Sequence, residues 1–222
     1  MRRWVALGAL LVASQSLGAR TGVAQDGSKE IRDFNILVDG KERGKYRMTI
    51  SRHTDGTEIM AGEADLKINY LVYAYQYSAR GTETWKDGRL LELANVSNYN
   101  GKKYNVNAVN RGNVLAIKVN GHERAALPDV WVTTYWRLPD THWRNRPLPL
   151  LETDTGKNLS AELKQVGMSN LTIAGTPQKC SHFRVSGGVK VDLWYDQAER
   201  LVRKESVESD HRTVLELNRI RR

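Results

Sequence analysis

Few side chains in this chain stand in a pattern that does chemistry. Its five histidines, His53, His122, His142, His182 and His211, are scattered, each in or beside a turn or a strand end. No H-E-x-x-H or C-x-x-C spacing occurs, so no metal site is expected. A Gly-rich phosphate loop and a G-x-S-x-G elbow are also missing, and no cofactor is expected. Carboxylates can be paired in the manner of a glycosidase, Glu83 with Asp87 or Asp192 with Asp196. Asp87 and Asp196 read better as turn residues, however, and Asp192 as strand polarity. Cys180 is the only cysteine, which rules out an intramolecular disulfide. His182 lies two residues along from it, on the same strand face but without attack geometry, so Cys180 reads as structural. One set remains for an enzyme: His142, Glu152 and Asp154 in the 139–154 stretch would serve an envelope hydrolase acting on glycan or peptide if they converged in a cleft. No catalytic residue is assigned.

Aromatic side chains carry the stronger signal. Tyr73, Tyr75 and Tyr77 form a row at strand spacing, and a row of phenol hydroxyls suits a wet-edged cavity better than a dry core. With Trp85, Trp131, Trp136, Trp143 and Trp194 they are the candidate lining of an apolar ligand site, although ordinary core or sheet packing explains each residue, taken singly, slightly better.

The elements that must position these residues are strands. Val189 to Val207 alternates as Val189, Val191, Leu193 and Tyr195 against Lys190, Asp192, Trp194 and Asp196. It turns at Asp196 to Glu199 and returns from Leu201, which reads as a β-hairpin. Phe34 to Ile50 repeats the pattern around a loop at Asp39 to Gly44. Lys86-Asp87-Gly88, Asn98 to Gly101 and Asn120-Gly121 mark further turns at roughly ten-residue spacing, the signature of an antiparallel meander. Leu66 to Tyr77 reads as one strand apolar on both faces. Past Pro128 the texture changes: Asp129 to Leu138 reads as a short helix capped by Asp129, and Pro139 to Pro149 as a long ordered loop. The expected architecture is mainly β. It is a single strongly curved antiparallel sheet of about a dozen strands, an open or half-closed β-barrel with at most one or two short helices.

At 222 residues with a net charge of +9, the chain is long enough for one sizeable core and moderately basic. Met1-Arg2-Arg3 followed by the apolar Trp4 to Leu17 reads as a signal peptide (residues 1–24), with cleavage after Ala24. Residues 25–222 then form one β-rich domain in the periplasm or outside the cell. Cleavage removes Arg2, Arg3 and Arg20 but no acid, which lowers the charge from +9 by three to +6. Charge signs are mixed along the chain, which favours no nucleic-acid partner. Peripheral contact with an anionic envelope surface stays open, as does a purely structural assembly role. No later stretch is apolar enough to span a bilayer as a helix.

Three runs carry a resemblance: E-T-W-K-D-G-R-L at Glu83 to Leu90, Thr134 to Trp136, and D-L-W-Y-D-x-x-x-R-L-V at Asp192 to Val202. Together they resemble a family of exported bacterial proteins of unknown function. Their W-x-D-G and W-Y-D hairpins are also similar to those of the lipoprotein carriers LolA and LolB. That likeness implies a curved sheet wrapped around a short helix, with Trp131 to Leu138 as plug, Pro139 to Pro149 as part of a lid, and an apolar cavity. No catalytic residues come with it. The function expected is non-enzymatic binding of an apolar or amphipathic, lipid-like molecule.

Overall fold

A computed structural model of the chain describes residues 27–70, 73–208 and 210–222. The proposed signal peptide lies outside these residues. Alternating apolar and polar residues, with turns at short intervals, give strands almost throughout. The first arm runs β1 (Ser28–Val38), β2 (Lys41–Arg52), β3 (Thr57–Tyr70), β4 (Tyr73–Lys86), β5 (Arg89–Tyr99), β6 (Lys102–Asn110), β7 (Leu115–Val119) and β8 (His122–Ala126). The second runs β9 (Trp131–Val132), β10 (Pro147–Leu151), β11 (Asn158–Ile173), β12 (Thr176–Gly187), β13 (Val191–Tyr195), β14 (Leu201–Glu208) and β15 (His211–Arg221).

All fifteen strands lie in one sheet, ordered β8 back to β1, then β15 back to β9. Chain neighbours are therefore sheet neighbours, with the two arms joined where β1 pairs antiparallel with β15. Among the described strands only β9 and β10 pair parallel, with one isolated parallel bridge between Arg144 and Leu163. That order would be a closed up-and-down barrel if β8 met β9, and it does not. The seam is spanned by Leu127 to Val130, where Pro128 offers no N–H for a ladder. Asn158 Nδ2 reaches the Ala125 carbonyl oxygen across it at 3.0 Å. Register shifts at Asp33/Phe34, Ile36/Leu37, Thr84/Trp85, Gln165/Gly167 and Trp194/Tyr195 are bulges that bend so long a sheet upon itself.

The structure corrects three local readings. Asp129 to Leu138 is not a helix: Trp131 and Val132 form β9, and Tyr135 turns the chain at φ 52°. Asp129 is held by Arg89 at 2.7 Å instead of capping. The stretch still plugs the interior, as Trp131, Val132, Tyr135 and Trp136 are all buried. Pro139 to Pro149 is not wholly a loop either. It holds a single 3-10 turn, Thr141–Trp143, and the start of β10. Prolines are tolerated there because β9 opposes only Leu150 and Leu151, which leaves Pro147 and Pro149 on a free edge. Leu66 to Tyr77 is the end of β3 and the start of β4, with Ile68 opposite Tyr75 and Leu66 opposite Tyr77. Pairing across a hairpin joins even positions of one strand to odd positions of the next, so the two apolar faces are one face. Among the described residues no helix is long and apolar enough to cross a membrane.

Candidate ligand cavity

The inner face of β3 and β4 supplies one wall of a cavity of about 740 Å³. Its rungs are Ile68 with Tyr75, Leu66 with Tyr77, Ala64 with Ala79, Gly62 with Gly81, and Met60 with Glu83. Tyr75 to Glu83 spans about 27 Å of strand. The middle rungs are small because larger neighbours lean over them. A Cβ on Gly62 would sit 2.8 Å from Tyr46 Oη, and one on Gly81 would meet Asn95 and the Ala94 carbonyl at 2.8 Å. The facing wall is Val191, Lys204, Ser206, Thr213 and Leu215, with Thr133 to Tyr135 of the plug and Glu152 to Thr155.

One end is open. Val38, Ile68, Tyr75, Lys190, Glu208 and His211 adjoin the hairpin turns at the same end of the sheet, and Lys190, Glu208 and His211 are exposed. The other end is shut by Met60, Glu83, Leu93 and Tyr135, each at most 3% exposed.

Asp154 ties the segment after β10 to the wall. Tyr77 Oη and Tyr99 Oη donate to its Oδ2 at 2.7 and 2.6 Å, and Asn95 Nδ2 donates to its Oδ1 at 2.9 Å. Asn95 Nδ2 also reaches the Thr153 carbonyl, and Ser97 Oγ the Asp154 carbonyl at 2.8 Å. Burial first, then the Asp154 charge, pushes both phenols well above the usual tyrosine range, so they stay neutral donors. Thr155 closes the segment with a hydrogen bond to Glu152.

Glu83 is the acid at the floor. Trp85 Nε1 and Trp136 Nε1 donate to its Oε2 at 2.9 and 2.7 Å. Its Oε1 has no partner, and the nearby Thr134 Oγ1, also without one, does not meet it in good geometry. Burial raises its carboxyl above the usual range, against the pull of Thr134, the two indoles and the Arg137 charge. Arg137 caps the floor from behind, with its guanidinium 5.0 Å from the Trp85 ring and 5.5 Å from the Trp136 ring. Its Nη1 bonds Glu58 at 2.9 Å. Two of the runs that carried the family resemblance, Glu83 to Leu90 and Thr134 to Trp136, thus meet at one carboxyl.

The candidate lining divides. Tyr75 and Tyr77 stand on the cavity wall. Tyr73 pairs with Tyr70 in the ladder, and its side chain lies outside the described residues. Trp85, Trp131 and Trp136 are core residues at 2% exposure, not lining, because their indoles are consumed by Glu83 and the Arg137 carbonyl. Trp143 packs half-buried beside His142. Trp194 points away from buried Leu193 and Tyr195, stacked on His182 at 4.4 Å with Arg203 over it. Sequence reasoning missed Tyr46, Asn95 and Tyr99, and weighed Glu83 only as a carboxylate partner of Asp87. Glu83 had a signal: it is the one charged residue among the inward odd positions of β4.

The hydrolase set does not assemble. His142 lies before the foot of β10, paired with Asp140 at 2.9 Å, whereas Glu152 and Asp154 follow the strand's other end. Asp196 is a turn residue, accepting from the Ala198 and Arg200 N–H groups and from the Arg200 side chain. Asp87 turns the β4–β5 hairpin at φ 49°. Cys180 is buried, and burial raises its thiol. Among the described residues no three metal-ligating side chains cluster.

The chain belongs to the family of the domain of unknown function DUF6134, whose sequence model matches residues 34–218. No curated protein matches it. Among solved structures it is similar to a β-barrel-like protein of the domain of unknown function DUF1849 from Brucella abortus. The TM-score is 0.62 at 7% identity, over 89% of this chain and 98% of that one. At that identity the likeness shows the fold alone.

Proposed function

We propose that this protein is an exported, non-enzymatic binder of an apolar or amphipathic small molecule, held between the hairpin-tip mouth and the Glu83 floor. The cavity carries the reading: about 740 Å³, walled by Ile68, Leu66, Ala64 and Ala79, open at one end and shut at the other. Its size falls in the range of small-molecule sites, roughly 300–1,000 Å³. A filled barrel would gain core packing from larger side chains on the Ala64–Ala79 rung, and this one carries alanine on both strands there. The W-x-D-G and W-Y-D hairpins, similar to those of LolA and LolB, point the same way. Export rests on the n-region Met1-Arg2-Arg3, the apolar run after it and the small residues before Gln25.

Native mass spectrometry of the protein recovered from its own host tests both halves. The expected species is the chain beginning at Gln25 with a noncovalent adduct that solvent extraction removes. A bare chain that still carries residues 1–24 would contradict both halves; a bare chain beginning at Gln25 would contradict binding alone.

A further inference from the structure

A lysine faces the cavity from an apolar stretch of its wall. Lys204 and Ser206 are inward positions of β14, and directly across from Lys204 stand Leu193 on β13 and Leu215 on β15. The Lys204 side chain is half-buried, and its Nζ is not among the sealed polar atoms of the interior. Among the described residues no carboxylate pairs with it. Its Nζ lies instead over the Tyr135 ring, 5.4 Å from the centroid. Other shielded cations are paired: Arg32 with Glu30 at 2.7 Å, Arg137 with Glu58 at 2.9 Å and Arg200 with Asp196 at 2.6 Å. A ring face holds a cation less strongly than a carboxylate does, and an ammonium withdrawn from water without a counter-ion is costly. Lys204 thus keeps a positive charge open to whatever enters the cavity.

We infer that the ligand is an amphiphile with one negative charge, a carboxylate head that pairs with Lys204 while its tail runs towards the mouth. This rests on the binding reading above and adds the ligand's charge and direction. The acids on the lining limit the head to a single charge. Asp154 already accepts from Tyr77, Tyr99 and Asn95, and Glu152 from Thr155. Burial first, then the Glu152 and Glu208 charges, raise the Tyr135 phenol above the usual tyrosine range. A second negative charge beside that ring would meet the same two acids. One ammonium is a compact point charge, enough for one carboxylate. Lys190, the other lysine on the lining, is exposed at the mouth, where salt screens it. Tyr135 helps to shut the lower end, so the tail is left the wall of Leu66 and Ile68 towards the opening.

Displacement of the neutral dye N-phenyl-1-naphthylamine from the chain beginning at Gln25 reads the charge that the cavity selects. Dodecanoate, methyl dodecanoate and dodecylammonium compete below their micelle concentrations at about pH 8, where the acid is ionised and the amine protonated. Dodecanoate should displace the dye at about tenfold lower concentration than its methyl ester, the worth of one charge-assisted hydrogen bond, with dodecylammonium weakest. In Lys204→Met protein of native circular dichroism that advantage should fall to about twofold or less, whereas Lys190→Met should keep most of it. Three results would overturn the inference while leaving a binding cavity in place. They are an ester or dodecylammonium that matches the acid in wild type, an advantage that survives Lys204→Met, and an advantage that disappears in Lys190→Met. Failure of the dye and of every competitor to bind would remove the cavity reading itself.

Discussion

Glu83 shows how much a single residue can organise. One oxygen of its carboxyl joins two indoles from distant parts of the chain, and the whole group is buried at the floor. Because burial raises its folded-state pKa, the folded protein holds this proton more tightly than the unfolded chain does. Glu83 therefore favours folding fully below the ordinary carboxylate pKa, and that contribution is lost as pH rises through the raised value. Glu83→Gln keeps an acceptor for the indoles without the titration. Thermal midpoints measured across pH should show wild type losing ground to the variant as pH rises above 4.5, the carboxyl's ordinary value. Parallel midpoint curves would contradict a raised Glu83. At this scale the sequence was hard to read. An acid next to Asp87 in a hairpin looks like solvent-facing polarity, and only its parity with Tyr77, Ala79 and Trp85 in β4 betrays that it points inward. Tyr99 and Asn95 gave no sign at all, since their role depends on a segment nearly sixty residues away.

Among elements, the hairpins were legible and the crossings were not. Asp-Gly and Asn-Gly turns with positive φ recur at Asp39, Asp87 and Asn120, so the meander could be read from local chemistry. The Asp129 to Leu138 stretch has apolar residues at helical spacing, but its aromatics bury against several strands at once, and tertiary contacts override the period. β10 was hidden by its prolines. The segment after it, Glu152 to Gly156, is held to the wall chiefly through Asp154. Asp154→Ala removes three side-chain hydrogen bonds and leaves the Tyr77 and Tyr99 hydroxyls unmet in the cavity. The expected cost is about 2–4 kcal/mol in chemical denaturation, since bonds to a charged acceptor are worth about 1.5–3 kcal/mol each and do not add fully. Amide exchange should quicken first at Thr153 and Thr155. A loss below about 0.5 kcal/mol would mean that the segment is held by other contacts.

The whole molecule is a barrel interrupted once. Joining the first and last strands, β1 to β15, places the seam at β8 and β9 instead of at the termini, and Trp131 to Trp136 beside that seam folds inward as a plug. That inward segment fills the lower interior and leaves the hairpin-tip end hollow. The curved antiparallel sheet was visible in the sequence through its turn spacing. The hollow was suggested by the tyrosine row, but the tryptophans assigned to it belong to the packed core below. Small paired rungs, Ala64 with Ala79 and Gly62 with Gly81, form the middle of the cavity wall, and no period in the sequence announces that they face each other.

The most direct test is to fill the space. Ala79→Trp places an indole in the cavity from the middle of the wall, in open volume instead of packed core. With circular dichroism confirming the fold of both proteins, N-phenyl-1-naphthylamine should give saturable one-to-one fluorescence enhancement with wild type. Its affinity for Ala79→Trp should be weaker by about tenfold or more. Identical titration curves for the two proteins would contradict a ligand site between the hairpin tips and Glu83.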